Sequence, residues 1–149
     1  MPETVFSELK PQLRGQFLQP GDEAYAAARK VHNGMIDKRP GAIARCADVA
    51  DVIRCVNFAR ERRLLVAIRG GGHSGAGLGT CDGGLVIDLS ALRGVRMEPE
   101  TGNVRVEGGC TWGDVDHVTH AFGRAMPSGV ISSTGVGGLT LGGGLGHLS

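Results

Sequence analysis

The chain has 149 residues, a formal net charge of +1, and 21% charged and 41% hydrophobic residues, which fits one globular domain or two small joined lobes. That balance excludes a mainly disordered chain and argues against a surface drawn to nucleic acid or membrane by bulk charge. No apolar run approaches the roughly 18 residues of a membrane span.

Glycine is unevenly spread: four of the 26 lie before position 70 and 22 from that position onward. Charge runs the other way, net +4 over residues 1–69 and −3 over residues 70–149. Cys46, Cys55, Cys81 and Cys110 form no Cys-x-x-Cys pair. Buried, reduced thiols are therefore expected, rather than a zinc site or a disulfide framework. The start, MPETVFSELKPQL, has acidic residues and no apolar signal core, so a cytoplasmic location is the expectation.

In chain order, residues 1–20 suggest a short helix and an extended lead-in. Asp22 is placed to cap a helix with Tyr25, Ala28 and Val31 on one face, ended by Gly34. Residues 42–44 suggest a short strand. Residues 47–62 carry the clearest helical spacing, with Val49, Val52, Ile53, Val56 and Ala59 as the expected apolar face. Arg60, Arg62 and Arg63 make a basic cluster at its solvated end. Residues 64–68 suggest a buried parallel strand, which completes a βαβ unit over residues 40–69. A glycine-rich loop follows over residues 70–84, long enough to point to function. Residues 85–89 suggest another buried strand, and residues 95–97 and 104–106 the arms of a hairpin. Thr111 and Asp114 suggest a capped helix over residues 112–122, stopped by Gly123. Residues 128–149 are again dominated by glycine.

Two segments carry the candidate chemistry. Arg69-Gly70-Gly71-Gly72-His73-Ser74-Gly75 directly follows a strand. Consecutive glycines allow positive φ and close approach to a ligand, and successive amides converge into an anion nest. The occupant expected is a phosphate or pyrophosphate. No Gly-Lys-Ser/Thr follows, so this is not a Walker loop. The spacing of Gly75, Gly77 and Gly79 is not a Rossmann fingerprint either. The second segment runs from Thr134 through Gly135, Gly138 and Gly142 to Gly146, with leucines woven among the glycines. Flexible linkers are polar, whereas this pattern suggests backbone packed against a flat ligand or another chain segment. The competing readings are a glycine hinge and a low-complexity linker. Two such segments about sixty residues apart suggest one dinucleotide with two recognition surfaces. His73, in the first turn, is then placed to face the ligand. His117 and His120 could share a helix face but have no third metal ligand nearby, so no metal site is expected. Asp114 and Asp116 are spaced too closely to pair on one face. Trp112 reads as a packing residue, and Arg69 and His147 as possible polar contacts.

Four motifs occur in a telling order: Val66-Ala67-Ile68-Arg69-Gly70-Gly71-Gly72-His73-Ser74, Gly83-Gly84-Leu85-Val86-Ile87-Asp88-Leu89-Ser90, Gly108-Gly109-Cys110-Thr111-Trp112-Gly113-Asp114-Val115, and the glycine-leucine tail. Together they resemble the FAD-binding domain of berberine bridge enzyme-like oxidoreductases. These belong to the wider PCMH-type, or vanillyl-alcohol oxidase, superfamily. The resemblance implies an α+β fold, with a small βαβ lobe and the start of a second mixed lobe. It covers residues 33–149 as a PCMH-type FAD-binding domain, preceded by the helical lead-in expected over residues 1–32.

For the site, the resemblance implies that His73 carries the flavin covalently through its 8α-methyl carbon. Gly70, Gly71, Gly72, Ser74 and Gly77 would wrap the pyrophosphate, with Arg69 beside them as a further cofactor contact. Thr134, Gly135, Gly138, Gly142 and Gly146 would line the rest of the FAD. Ile131 falls where some members place a second linking cysteine, and Cys110 lies too early to replace it, so a single link is expected. The chemistry implied is hydride transfer from a C–H beside oxygen or nitrogen to flavin N5, with oxygen reoxidising the cofactor. The partners implied are a small-molecule substrate and oxygen. Family members are considerably longer, so the expectation is a fragment without its substrate domain, inactive alone, whose catalytic residues lie elsewhere. The alternatives are a non-catalytic nucleotide-binding or regulatory fragment, and a structural fragment packed on a partner chain.

Overall fold

A computed structural model describes residues 5–148. A 3-10 turn at Lys10–Gln12 leads into β1 (Gln16–Leu18) and a one-turn helix, α1 (Tyr25–Ala28). Then come β2 (Ala42–Arg45), α2 (Val49–Glu61), β3 (Val66–Arg69) and β4 (Leu85–Asp88). The hairpin β5 (Val95–Met97) and β6 (Val104–Val106) precedes α3 (Trp112–His120) and α4 (Val136–Gly142).

Four strands form one sheet in the order β1-β2-β4-β3. β2 and β3 both run parallel to β4, and β1 is antiparallel to β2. The βαβ unit therefore crosses over a position that β4 fills later. β4 sits centrally and is buried along its whole length. This explains its unbroken apolar run up to Asp88, since a strand covered on both faces has no polar side to show. Apolar clusters occupy both faces of the sheet. One holds Phe6, Phe17, Ala44, Cys55, Phe58 and Ile87, the other Leu18, Tyr25, Ile43, Ala67 and Val86.

Several expectations are corrected here. The helix expected from Asp22 is a single turn. Asp22 instead accepts from the Gln19 amide at 2.7 Å, which caps the preceding turn rather than a helix. Part of the expected N-terminal helix falls on residues outside those described; within them, residues 16–18 of the expected extended lead-in are a strand of the main sheet. On α2 the face toward the sheet is Asp51, Cys55, Phe58 and Ala59, whereas Val49, Ile53 and Val56 are exposed. The helix carries apolar residues on two sides, and the larger Phe58 with the Cys55–Cys46 contact takes the inside. β3 is parallel, as expected, but lies at the edge with Val66 and Ile68 exposed. The glycine-rich tail contains a helix, α4, for which the sequence reading named no element.

Candidate functional site

β3 and β4 end side by side, with Arg69 in register with Asp88. The two side chains form a buried ion pair at 2.8 Å. Asp88 also accepts from Arg45 Nε at 3.2 Å and from the Ser90 amide at 3.0 Å. Burial by itself would raise the Asp88 carboxyl, but Arg69 and Ser90 hold it below the usual carboxylate range. The chain thus enters the glycine loop from a fixed point. Arg69, expected to contact a ligand, has its guanidinium committed to Asp88. It borders the site from beneath the glycines.

The two glycine segments meet. A Cβ on Gly71 would stand 2.5 Å from the Gly135 amide nitrogen, and one on Gly135 would strike the Gly71 backbone in return. Only glycine at both positions permits this backbone-to-backbone approach. The second segment is held from its other side by a bridge between Thr111 and Gly135, with Trp112 donating to the Thr134 carbonyl at 3.0 Å. Thr111 stands at the start of α3, where its amide donates to the Asp114 carboxylate at 2.7 Å to close a capping box.

Between the segments lies a cavity of about 410 Å³. Its lining includes Arg69, Gly70, Gly71, Gly72, His73 and Ser74 from the first segment, and Thr134, Gly135, Gly138 and Gly142 from the second. Two of the expected residues stand apart from it. Gly77 has φ +69° and packs on Ile36, and Gly146 backs onto the Ser128 carbonyl. Both shape the backbone rather than the lining. Sequence reasoning missed Ile68, Leu78, Gly79 and Leu139, which supply apolar walls. The leucine recurring in the glycine tail was the available signal for Leu139. A lone leucine inside a glycine-rich loop was the signal for Leu78. His117, His120 and His147 are exposed and lie elsewhere. Among the described residues no cluster of three potential metal ligands occurs. Cys110 is buried with its thiol toward the Gly94 carbonyl.

His73 stands half-buried at the rim. Its ring stacks on His32, with centroids 4.0 Å apart, and its Nε2 lies 3.4 Å from Ser133 Oγ. Burial lowers the His73 pKa and His32 lowers it further, while Ser133 acts in the opposite sense. No spacing rule pointed to His32 or Ser133, which lie some forty and sixty residues from His73 in the chain.

Fold and cavity together define a cofactor-binding α+β domain. The chain belongs to the FAD binding domain family, whose pattern matches residues 40–149. It is 38% identical over 146 residues to an FAD-linked oxidoreductase of Dictyostelium discoideum, covering 97% of this chain and 32% of that protein. It is 33% identical to (R)-6-hydroxynicotine oxidase of Paenarthrobacter nicotinovorans, covering 92% of this chain and 30% of that protein. The solved structure of 6-hydroxy-D-nicotine oxidase from Arthrobacter nicotinovorans matches with a TM-score of 0.88 at 33% identity, over 91% of this chain and 30% of that one. BBE-like 1 of Physcomitrella patens matches with a TM-score of 0.86 at 26% identity, over 97% of this chain and 31% of that one. The chain thus spans about 30% of the length of these relatives. The fold is the PCMH-type α+β domain, and the berberine bridge enzyme-like kinship holds.

The cavity fits FAD on its own chemistry. Residues 70–74 line it, and among the described residues none of their amides donates to a protein acceptor. Five successive residues whose amides have no protein acceptor, all bordering one cavity, suit an anionic group such as a pyrophosphate. Gly138 and Gly142 lie one turn apart on α4, with open space where a Cβ would stand. They leave a flat surface that a planar ring can approach.

Proposed function

We propose that this chain is the cofactor-holding part of an FAD-dependent oxidase. Residues 70–74 would take the pyrophosphate, the face of α4 with Thr134 and Gly135 would meet the remainder, and His73 would carry the flavin through its 8α carbon as the single covalent link. When bound, the flavin accepts a hydride from a C–H beside oxygen or nitrogen on a small-molecule substrate and passes the electrons to oxygen. The chain's own contribution is to bind, to orient, and to fix the ring nitrogen of His73 at the rim. The groups that contact substrate are assigned to none of these 149 residues, so the isolated chain is expected to hold flavin without turnover. A cytoplasmic setting is part of the same reading, and four free, buried cysteines support it.

The observation that carries this reading is the single cavity shared by the two glycine segments, with His73 on its edge. The test is the flavin content of acid-denatured protein. The parent chain should keep yellow fluorescence through denaturation, and His73→Ala should lose it while still binding FAD reversibly. Fluorescence retained by His73→Ala would place the link elsewhere. Steady-state oxidation by the parent chain alone would overturn the assignment of catalysis to other residues.

A further inference from the structure

His32 does not line the cavity, yet it touches the side chain there that carries a reactive nitrogen. Its ring lies nearly parallel to that of His73, inclined by 14° at a centroid distance of 4.0 Å. Its backbone N–H donates to the Gly72 carbonyl at 3.1 Å. The next residue continues the grip, because Asn33 Nδ2 donates to the Gly75 carbonyl at 2.9 Å. Two successive residues therefore hold the loop on both sides of His73. Ser133 meets the same ring at Nε2 from the opposite segment.

We propose that His32 is a positioning residue for His73, holding the imidazole in one orientation at the cavity rim for attachment of the flavin. The proposal rests on the reading of His73 as the attachment point. In that attachment a bond forms between a His73 ring nitrogen and the flavin 8α carbon. The methyl group gives up one hydrogen and the imidazole the other. The electron pair and both protons pass finally to molecular oxygen, which leaves as hydrogen peroxide. A ring free to rotate presents its nitrogen to that carbon only part of the time. A ring stacked on one face, with its loop pinned on both sides, presents it continuously.

The stack also bears on charge. Arg69 is paired with Asp88, and its Nη1 lies 3.5 Å from the Lys30 carbonyl. Lys38 is bound to the carbonyls of Gly77 and Thr80. Both cations are held by other partners, whereas burial disfavours protonation of the His73 ring and His32 adds to that effect. His73 therefore stays neutral, and nucleophilic, further into acid than an exposed imidazole would.

The test is the rate at which the chain acquires acid-stable flavin from added FAD in air, from about pH 5 to about pH 8. His32→Ala should slow loading on the alkaline side by roughly three- to tenfold, the loss expected for a stacked ring pair. His32→Phe keeps a flat ring and should recover most of that rate. It removes the neighbour that adds to the lowering of the His73 pKa, so its acid limb should move to higher pH. In the flavin-free chain, the ring resonances of His73 should titrate at a higher midpoint in His32→Phe than in the parent, a change that a purely structural contact would not produce. Loading by His32→Ala at the parent's rate and pH profile overturns the proposal, as does an unchanged His73 titration. If the parent never acquires flavin, or His73→Ala acquires it equally, the attachment reading fails first and the proposal with it.

Discussion

Asp88 shows how one side chain fixes the start of a ligand loop. Its carboxylate is 1% exposed and answers two guanidinium groups and an amide. Asp88→Asn removes the counter-charge from Arg69, itself 6% exposed, and leaves a buried cation without an ionic partner. Breaking such a pair from one side costs about 3–5 kcal/mol, to be read by denaturant unfolding. The same residue predicts a pH dependence. Its folded pKa lies below the unfolded value of about 3.9, so its contribution is complete above that pH and fades as pH falls through the lower, folded value. Parent stability should therefore drop on acidification below about pH 4, and the drop should be smaller in Asp88→Asn. An equal drop in both chains would show that other carboxylates carry the acid sensitivity. Asp88 was legible only as the end of a buried strand. Its partner Arg69 was read as a ligand contact because nothing in sequence spacing shows that two strands end in register.

Among the elements, α2 is the one most firmly stitched in place. Asp51 on its first turn accepts from the amides of Arg14, Gly15 and Ala47, all between 2.9 and 3.0 Å. One carboxylate thus ties the entrance to β1 and the exit from β2 to the helix that covers them. Burial pushes this group upward, and the three amides with Arg54 bring it below its ordinary range. Asp51→Ala strands three donors in a closed space and should cost at least about 3 kcal/mol, measured as a fall in the unfolding midpoint. Gly71→Ala tests the other critical junction, between the loop and the approach to α4. The added methyl meets backbone rather than a movable side chain, so about 1–3 kcal/mol of stability should be lost. These two elements also mark how far sequence reaches. The strands at 85–88, 95–97 and 104–106 and the helix after Thr111 were readable because apolar runs, turn residues and caps agreed. The inward face of α2 was not, because its apolar residues form two stripes and periodicity does not choose between them. α4 was not readable either. Glycine costs about 1 kcal/mol per helical position, and the tertiary contacts that outweigh this lie far away in sequence.

At the scale of the whole molecule, apolar clusters are closed in on both faces of the sheet, while further apolar side chains lie exposed outside them. Val49, Ile53 and Val56 recur along α2 at helical spacing on the side away from the core, each between 45% and 63% exposed. Val66 and Ile68 on the edge strand lie in register with Leu85 and Ile87, the residues that face α2, and so belong to the same side of the sheet. Apolar surface gathered on one side makes a molecule bind hydrophobic dyes and associate with itself, whatever the stability of its fold. Charging the stripe separates those two properties. Ile53→Lys with Val56→Lys should lower dye binding and concentration-dependent association, while unfolding free energy shifts by no more than about 0.5 kcal/mol per site, as for ordinary surface positions. The two cations fall one turn apart, near Arg60, so a small repulsive penalty is the only cost expected. A loss of more than about 2 kcal/mol would mean that these side chains are packed in solution, and that α2 turns a different face to the sheet.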